Sequence, residues 1–542
     1  MARKILSSVD TAWLRMEDPT NLMMISGVMV FGAPIDMERL RATIEHGLLP
    51  LERFSQRIVC PPMGKPYWED DPDLDLDYHL QRISLPPPAN QATLQELASL
   101  LASRQLDFSR PLWQFHLVEP YGEGCALICR LHHCIGDGLA LVHVLLSLTT
   151  TEPEEAWPLS QPQAPRSRRR SVLRRLYQPA RTAVKTTVRV KRTLLKEAWG
   201  TFRHPSRLGD WTRTGIRGTR ATARLLLLWP DPKTVFKGPL EVPKRVSWSQ
   251  PLDLQEVKAT GRAMGSTIND ILLAAMSGAL RRYLEGRGEP VAGLNFRAVV
   301  PVNLRRPGTE HELGNKFGLV FLSLPVGIVE PEKRLHVLKQ RMDDLKDSLE
   351  APVAFGILTG IGAAPEAIQD VVVNMFGAKG TAVMTNVIGP QEQIYLAGAP
   401  LESLMFWVPQ SGRLGMGVSI LSYNGQVYMG VITDQGLVPD PETIIDGFHA
   451  EFDDLVARSQ EVAPPPTLPQ VLDRLDETIE MLDELLDEQQ TEPADASDLP
   501  ADEESDEPEA APERCQALTQ SGRQCKNPPQ PGSEYCHVHQ PD

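Results

Sequence analysis

The sequence predicts an α/β protein, and three stretches carry that reading. Residues 23–31, rich in Met, Ile, Val and Phe, read as a buried strand, and in residues 35–49 Met37, Leu40, Ile44 and Leu48 fall at helical spacing. An apolar run at 125–131 ends in His132-His133 and a Gly136-Asp137-Gly138 turn, after which Leu141, Val142, Leu145 and Leu146 recur at helical spacing. In the second half, strands expected at 298–302 and 318–325 precede a helix from about residue 332. Alternation of this kind is how a sheet covered by helices is written in sequence.

Taken in order, residues 6–10 lead through Ala12–Glu17 and a Pro-Thr-Asn turn into the first strand. Pro111-Leu112-Trp113 opens a second strand through Val118, and the turn Tyr121-Gly122-Glu123-Gly124 returns the chain into a third, 125–131. Side chains alternate across a strand, so His132 and His133 cannot both face one cavity if the strand continues through them. At most one of them is a working base. Further on, Thr267-Ile268-Asn269-Asp270 spells a capping box, and Leu272, Ala275, Met276, Ala279, Leu280 and Tyr283 line one face of the helix that it starts. A strand at 381–387 is stopped by Gly389-Pro390, and Asn424-Gly425 between 418–423 and 427–433 is the strongest short hairpin signal in the chain.

At 542 residues the chain exceeds one core, and about 150 residues per domain suggests roughly three units. The expected division is 1–155, a linker and basic crossover at 156–234, a second domain at 235–460, an acidic helix and disordered linker at 461–513, and a Cys/His module at 514–542. The net charge of −15 is unevenly spread: residues 166–224 hold 18 Lys or Arg against Glu197 and Asp210 alone. Val172, Leu173, Leu176, Val184, Val188 and Leu195 thread an apolar stripe through those cations, which suits either an anionic membrane interface or a solvated helix covering two domains. With no recognition module or aromatic platform, nucleic acid is not an expected partner.

No apolar run approaches the roughly 18 to 20 residues of a membrane span, and the start lacks the apolar stretch of a secretory signal. Seven cysteines, three of them gathered at the end, do not read as a disulfide framework, so the expected setting is a reducing cytoplasm. Cys515, Cys525 and Cys536 with His539 form a candidate tetrahedral Zn(II) set, which would staple a unit too small for its own core. The alternative is a redox-sensitive or unstructured tail. Residues 468–486 keep heptad-like Leu and Ile spacing, and 491–513 has the acidic, Pro- and Ala-rich composition of disorder.

The chemistry centres on the histidine pair. An imidazole with an ordinary pKa near 6.5 can take a proton from a hydroxyl and return it to a leaving thiolate, which suits acyl transfer from a thioester to an alcohol. No G-x-S-x-G elbow and no HExxH are present, against serine hydrolysis and zinc hydrolysis respectively. Asp137, held between two glycines, is expected to fix the loop through an arginine.

His132-His133-Cys134-Ile135-Gly136-Asp137-Gly138 matches the HHxxxDG motif of the acyl-CoA-dependent acyltransferase superfamily, which includes chloramphenicol acetyltransferase and peptide-synthetase condensation domains. With Val9-Asp10 and Trp13, Pro111-Leu112-Trp113, Asn269-Asp270, Pro301 to Arg305, Gly314-Asn315, Asn386 to Pro390 and Ser422 to Gly425, the chain resembles the bacterial wax ester synthase/diacylglycerol acyltransferases over roughly residues 5–455. The resemblance implies two chloramphenicol-acetyltransferase-like domains with a central tunnel, acyl-CoA entering from one side and diacylglycerol or a fatty alcohol from the other. It implies His133 as general base, His132 as structural and Asp137 as loop orienter with Arg305 as its partner. Asn269 would place the acyl group or the oxyanion, or only cap its helix, and Gly138, Asp270 and Arg305 are candidate substrate contacts. No cofactor is needed for catalysis, since acyl-CoA is a substrate. The expected setting is the inner membrane face or a lipid-droplet surface, contacted peripherally. A competing reading makes the chain a catalytically weak relative that binds such surfaces.

Overall fold

Local signals explain how the first half is laid down. Ser7 caps α1 (Ser8–Arg15), its hydroxyl accepting from the Asp10 amide at 3.0 Å, so that Asp10 and Trp13 fall one turn apart on one face. In chain order, β1 (Lys4–Ile5), α1, β2 (Met24–Phe31), α2 (Met37–Thr43), β3 (Gln56–Val59), β4 (Tyr67–Asp70), α3 (Leu76–His79), β5 (Leu80–Ser84), α4 (Gln91–Ala102), β6 (Trp113–Tyr121), β7 (Gly124–His132), α5 (Gly138–Leu146) and β8 (Thr149–Thr150) follow one another. A single π turn, Ile44–Leu48, prolongs α2. Strand β7 is buried along its whole length, which is why its sequence is a continuous apolar run.

The second half contains β9 (Lys244–Trp248), β10 (Leu252–Asp253), α6 (Leu254–Ala263), α7 (Ile268–Gly286), β11 (Phe296–Asn303), β12 (Phe317–Leu324), α8 (Pro331–Lys346), β13 (Ala382–Ile388), β14 (Tyr395–Leu396), β15 (Ala399–Trp407), β16 (Met416–Tyr423), β17 (Gln426–Asp434) and α9 (Pro441–Val462). The capping box expected at the start of α7 is formed: Asp270 Oδ2 accepts from the Thr267 amide at 2.9 Å while Thr267 Oγ1 accepts from the Asp270 amide. The β16–β17 hairpin turns on Asn424 and Gly425, at φ 45° and 72°, the positive pair that a two-residue turn of the I′ kind requires.

These strands form two seven-stranded sheets, and the small sheet β1-β4-β3 lies beside them in sequence. The first runs β5-β6-β7-β2-β15-β14-β8; the second runs β10-β17-β16-β13-β11-β12, with β9 also paired to β17. One connection was absent from the sequence reading: β14 and β15 leave the second half and complete the first sheet, β15 lying antiparallel to β2 with Trp407 opposite Ser26. A cut near residue 235 therefore does not separate two independent sheets. Gly27 allows the close approach, since a Cβ there would stand 3.2 Å from the Met405 carbonyl. The apolar core around β2 and β7 accordingly includes Val299, Val383 and Phe406 from the second half, while a second core gathers around α7 and α9. At about 1.5–3 kcal/mol for each fully buried large apolar side chain, the shared core makes separation of the halves costly.

The computed structural model describes residues 3–62, 64–153, 228–305, 314–346, 353–357, 359, 373–375, 377–410 and 414–462. The expected linker beyond residue 153, the basic stretch 166–224, the acidic helix, the disordered linker and the Cys/His module lie outside the described residues. All the described residues belong to one compact unit. Among the described residues, no helix is long and apolar enough to cross a membrane.

Candidate active site

Strand β7 ends at His132, and the chain then turns through His133 to Asp137 before α5 begins. The two histidines have different surroundings. His132 Nδ1 accepts from the Cys134 amide at 3.1 Å, which puts its proton on Nε2, and Nε2 stands 3.4 Å from a carboxylate oxygen of Glu17. That ring is buried and does not line the cavity. His133 instead lies against a cavity that Trp13 and Gly138 line from the first half, and Val299, Phe317 and Asn386 from the second. Its imidazole stacks on the Trp13 indole at 4.2 Å with 19° between planes, and the Phe317 ring lies 5.7 Å away.

Burial governs the His133 proton. Desolvation pushes its pKa down to about 4, against the nearby Asp137 carboxylate, its own carbonyl and the Asn315 side chain, which all favour the charged form; His132 adds to the lowering. At neutral pH the ring is therefore uncharged and carries a lone pair, the form that a general base requires. The neighbouring Cys134 thiol is pushed well up by the same burial, so it is no nucleophile at neutral pH.

Asp137 is the N-cap of α5, its Oδ1 accepting from the Ala140 amide at 3.1 Å. Its Oδ2 accepts from the Lys316 amide at 3.1 Å and forms a buried ion pair with Arg305. Arg305 lies just beyond β11, where its amide donates 2.9 Å to Asn303 Oδ1, and its guanidinium also reaches the Gly314 carbonyl. A cap in the first half is thus tied to a strand end in the second.

Several positioning groups had no individual signal in the sequence. Arg53 Nη1 donates to the Cys134 and Ile135 carbonyls at 3.0 and 2.7 Å, and Arg53 Nη2 pairs with Asp10 at 3.1 Å. Asn315 Nδ2 donates at 2.9 Å both to Asp10 Oδ1 and to the His133 carbonyl. Asp10, Trp13 and Asn315 lie within stretches that carry the family resemblance, but nothing local assigns them these partners. Arg53 and Phe317 had no signal at all.

Of the residues singled out from sequence, His133, Asp137, Gly138 and Arg305 converge on the cavity. His132 lies behind it. Asn269 does not line it: Asn269 Oδ1 accepts from Asn386 Nδ2 at 3.1 Å, and Asn386 does. Asp270 is fully buried in its capping box, with Oδ2 accepting from Thr267, and is not among the lining residues. Trp113 is buried in packing, its Nε1 donating 2.8 Å to the Phe54 carbonyl. Cys515, Cys525, Cys536 and His539 lie outside the described residues, and among the described residues no group of three or more potential ligands is placed to hold a metal.

The empty space at the cavity, open solvent included, amounts to about 740 Å³. A second pocket, with about 630 Å³ of empty space on the same measure, adjoins it, since Gly138 and Phe406 line both, and its walls are aliphatic side chains such as Ile25, Leu141, Leu145 and Leu404. Gly138 leaves that junction open, for a Cβ there would meet no atom within 4 Å. The site thus combines a neutral imidazole, a cavity lined by residues of both halves and a neighbouring aliphatic pocket.

Known proteins share both the sequence and the shape. A probable diacylglycerol O-acyltransferase of Mycobacterium tuberculosis is 27% identical over 467 residues, which span 84% of this chain and 96% of the relative. Among solved structures, the wax ester synthase/diacylglycerol acyltransferase from Marinobacter aquaeolei VT8 superposes with a TM-score of 0.60 at 21% identity, covering 84% of this chain and all of that one. The first condensation domain of the CDA synthetase shares the fold with a TM-score of 0.52 at 17% identity, over 85% of this chain and 99% of that one. The family model for the wax ester synthase/diacylglycerol acyltransferase catalytic domain matches residues 6–272, and that for the WS/DGAT C-terminal domain matches 313–456. Since these two matches account for well over half of the sequence and bracket both walls of the cavity, this chain belongs to the wax ester synthase/diacylglycerol acyltransferase family.

Proposed function

We propose that this protein moves a long-chain acyl group from acyl-CoA to the hydroxyl of diacylglycerol or of a fatty alcohol, with His133 as general base. One observation carries the reading: a buried, neutral imidazole faces a cavity walled by both halves, beside an aliphatic pocket with which that cavity shares Gly138 and Phe406. In the proposed reaction Nε2 of His133 accepts the acceptor's hydroxyl proton as that oxygen attacks the thioester carbonyl. The tetrahedral oxyanion collapses, the C–S bond breaks, and the CoA thiolate takes the proton back from Nε2. Ester and free CoA leave, and the enzyme is unchanged. The acyl chain would lie in the aliphatic pocket, and Asn386, steadied by Asn269, would face the reacting groups. Names of relatives support both acceptors, diacylglycerol through the mycobacterial protein and wax alcohol through the Marinobacter enzyme.

The test is direct. Purified full-length protein is incubated with radiolabelled palmitoyl-CoA and either dioleoylglycerol or hexadecanol, and ester is expected with at least one of them. Absence of ester above background from both would leave the surface-binding alternative in its place.

Two further expectations attach to stretches outside the described residues. The cations of 166–224 are proposed to hold the enzyme against anionic lipid, where apolar acceptors reside. Sedimentation with phosphatidylglycerol vesicles is expected to fall strongly once those arginines are neutralised, and unchanged binding would reject the idea. Cys515, Cys525, Cys536 and His539 are proposed to hold one structural zinc, so metal analysis of protein purified without chelators should give close to one zinc per chain.

A further inference from the structure

The aliphatic pocket beside the cavity is a slot with a direction. Helix α5 begins at the site with Gly138 and leads away from it, and β2 leads away as well, since Met24 pairs with His132 at the site end and Met29 with Leu127 further on. Ile25, Gly27 and Met29 share one face of β2 and line the slot together with Gly138, Leu141 and Leu145 from the helix. Leu404 and Phe406 of β15 add a third wall, supplied by the second half. No charged residue lines the slot, whereas the cavity at its head carries His133, Asp137, Arg305 and Asn386. A polar head leading to an apolar tail is the division found in an acyl thioester.

A third pocket lies past the far end of the slot, with about 270 Å³ of empty space on the same measure and walls that include Leu40, Ile44, Phe115 and Leu127. Met29 and Leu145 line both it and the slot. Their neighbours show why. Buried Met29 stands in the sheet between Leu404 of β15, which lines the slot, and Leu127 of β7, which lines the third pocket. Leu145 likewise falls between Leu141, which lines the slot, and Leu148, which lines the third pocket, at the spacing of one helical face. These two side chains are therefore the partition.

We propose that Met29 and Leu145 form the floor of the acyl-chain slot and set the longest acyl group that the enzyme transfers. The inference rests on the reading of the aliphatic pocket as the acyl site. From Ile25 to Met29 a strand rises about 13 Å, and an alkyl zigzag of bonds about 1.5 Å long advances about 1.3 Å per carbon, so the slot lodges roughly ten carbons beyond the cavity. That brings the end of a long-chain acyl group to the floor. An acyl thioester is one unbranched chain from its carbonyl onward, which a slot between one helix and one sheet admits, whereas diacylglycerol brings two chains side by side. Shortening a floor residue joins the slot to the third pocket, and enlarging one shortens the slot.

Full-length protein is assayed with acyl-CoAs from octanoyl to lignoceryl against hexadecanol, and with alcohols from octanol to tetracosanol against palmitoyl-CoA. In the wild type, kcat/KM is expected to fall about tenfold or more past a limiting acyl length, the worth of a methylene or two that a closed apolar pocket does not lodge. Met29→Ala and Leu145→Ala are each expected to move that limit to longer chains, and Leu145→Trp to shorter ones, while the alcohol profile stays in place. A wild type without an acyl limit overturns the inference. So do alanine variants with an unmoved limit, or a shift that shows in the alcohol profile instead. Should the variants not fold, a palmitoyl-CoA analogue with a diazirine at its terminal carbon decides on the wild type: photolabel is expected on Met29, Leu145 or their neighbours in the slot, and label confined to other parts of the chain overturns the inference. Failure of every acyl-CoA to give ester would defeat the proposed reaction, while the photolabel still judges the floor.

Discussion

Replacing His133 with alanine is expected to lower ester formation by about 10²–10⁴-fold, the usual worth of a positioned general base, with KM for acyl-CoA little changed. The residue borders the cavity, and its removal takes away the proton acceptor without touching the ion pair or the aliphatic pocket. Steady-state assays at saturating palmitoyl-CoA check the size of the loss; activity equal to the wild type removes His133 from the mechanism. The ring also fixes a pH dependence. With its pKa down at about 4 in the free enzyme, kcat/KM should stay level through pH 7 and 6 and fall only as the ring takes a proton near 4. The same shift bears on stability. The unfolded ring protonates near its ordinary value of about 6.5 and the folded ring near 4, so acid favours the unfolded chain. The ring therefore leaves stability undiminished above about pH 6.5, lowers it as pH falls from there to 4, and has no further effect below. Denaturant midpoints at pH 7 and pH 5 should accordingly differ less in His133→Ala than in the wild type.

Arg305→Ala is expected to cost about 3–5 kcal/mol, because it strands the buried Asp137 carboxylate without its counter-charge. The Ala140 and Lys316 amides would remain on Asp137, yet neither carries a full charge. Activity should fall with stability, since the pair joins the cap of α5 to the end of β11 across the cavity. Arg305→Lys is not expected to restore the wild type, as one ammonium cannot serve both Asp137 and the Gly314 carbonyl in the fork that the guanidinium provides. Asp137→Asn should be less harmful in the Arg305→Ala background than in the wild type, because it removes the stranded charge. Urea denaturation of the four proteins reads out the cycle, and simple additivity would show that the two side chains do not depend on each other.

Local chemistry made much of this molecule legible. The apolar run of β7, the Gly-Asp-Gly start of α5, the capping box of α7 and the Asn-Gly turn between β16 and β17 each state their own conformation within a few residues, and each is formed. Strand alternation at His132-His133 could say that the two rings part company, and they do have different neighbours. It could not say which of them meets the cavity, because a single sequence does not reveal which face of a sheet the second half will cover.

Elements without a local signature escaped. The transfer of β15 into the first sheet depends on Gly27 opposite the Met405 backbone, a contact between positions almost four hundred residues apart. Asp270 illustrates the converse. Its capping-box spelling was correct, and for that reason its carboxylate is taken up by Thr267 rather than presented to a ligand.

The sequence by itself determined the α/β class, the family and the loop that carries the imidazole, because short-range patterns and contiguous motifs encode these. The tertiary structure alone decided that the ring is neutral, stacked on Trp13, and walled by strands from the other half, since burial and charge pairing are properties of atoms that meet only after folding. Asn315, 182 residues from the carbonyl it holds, belongs wholly to that second kind of information.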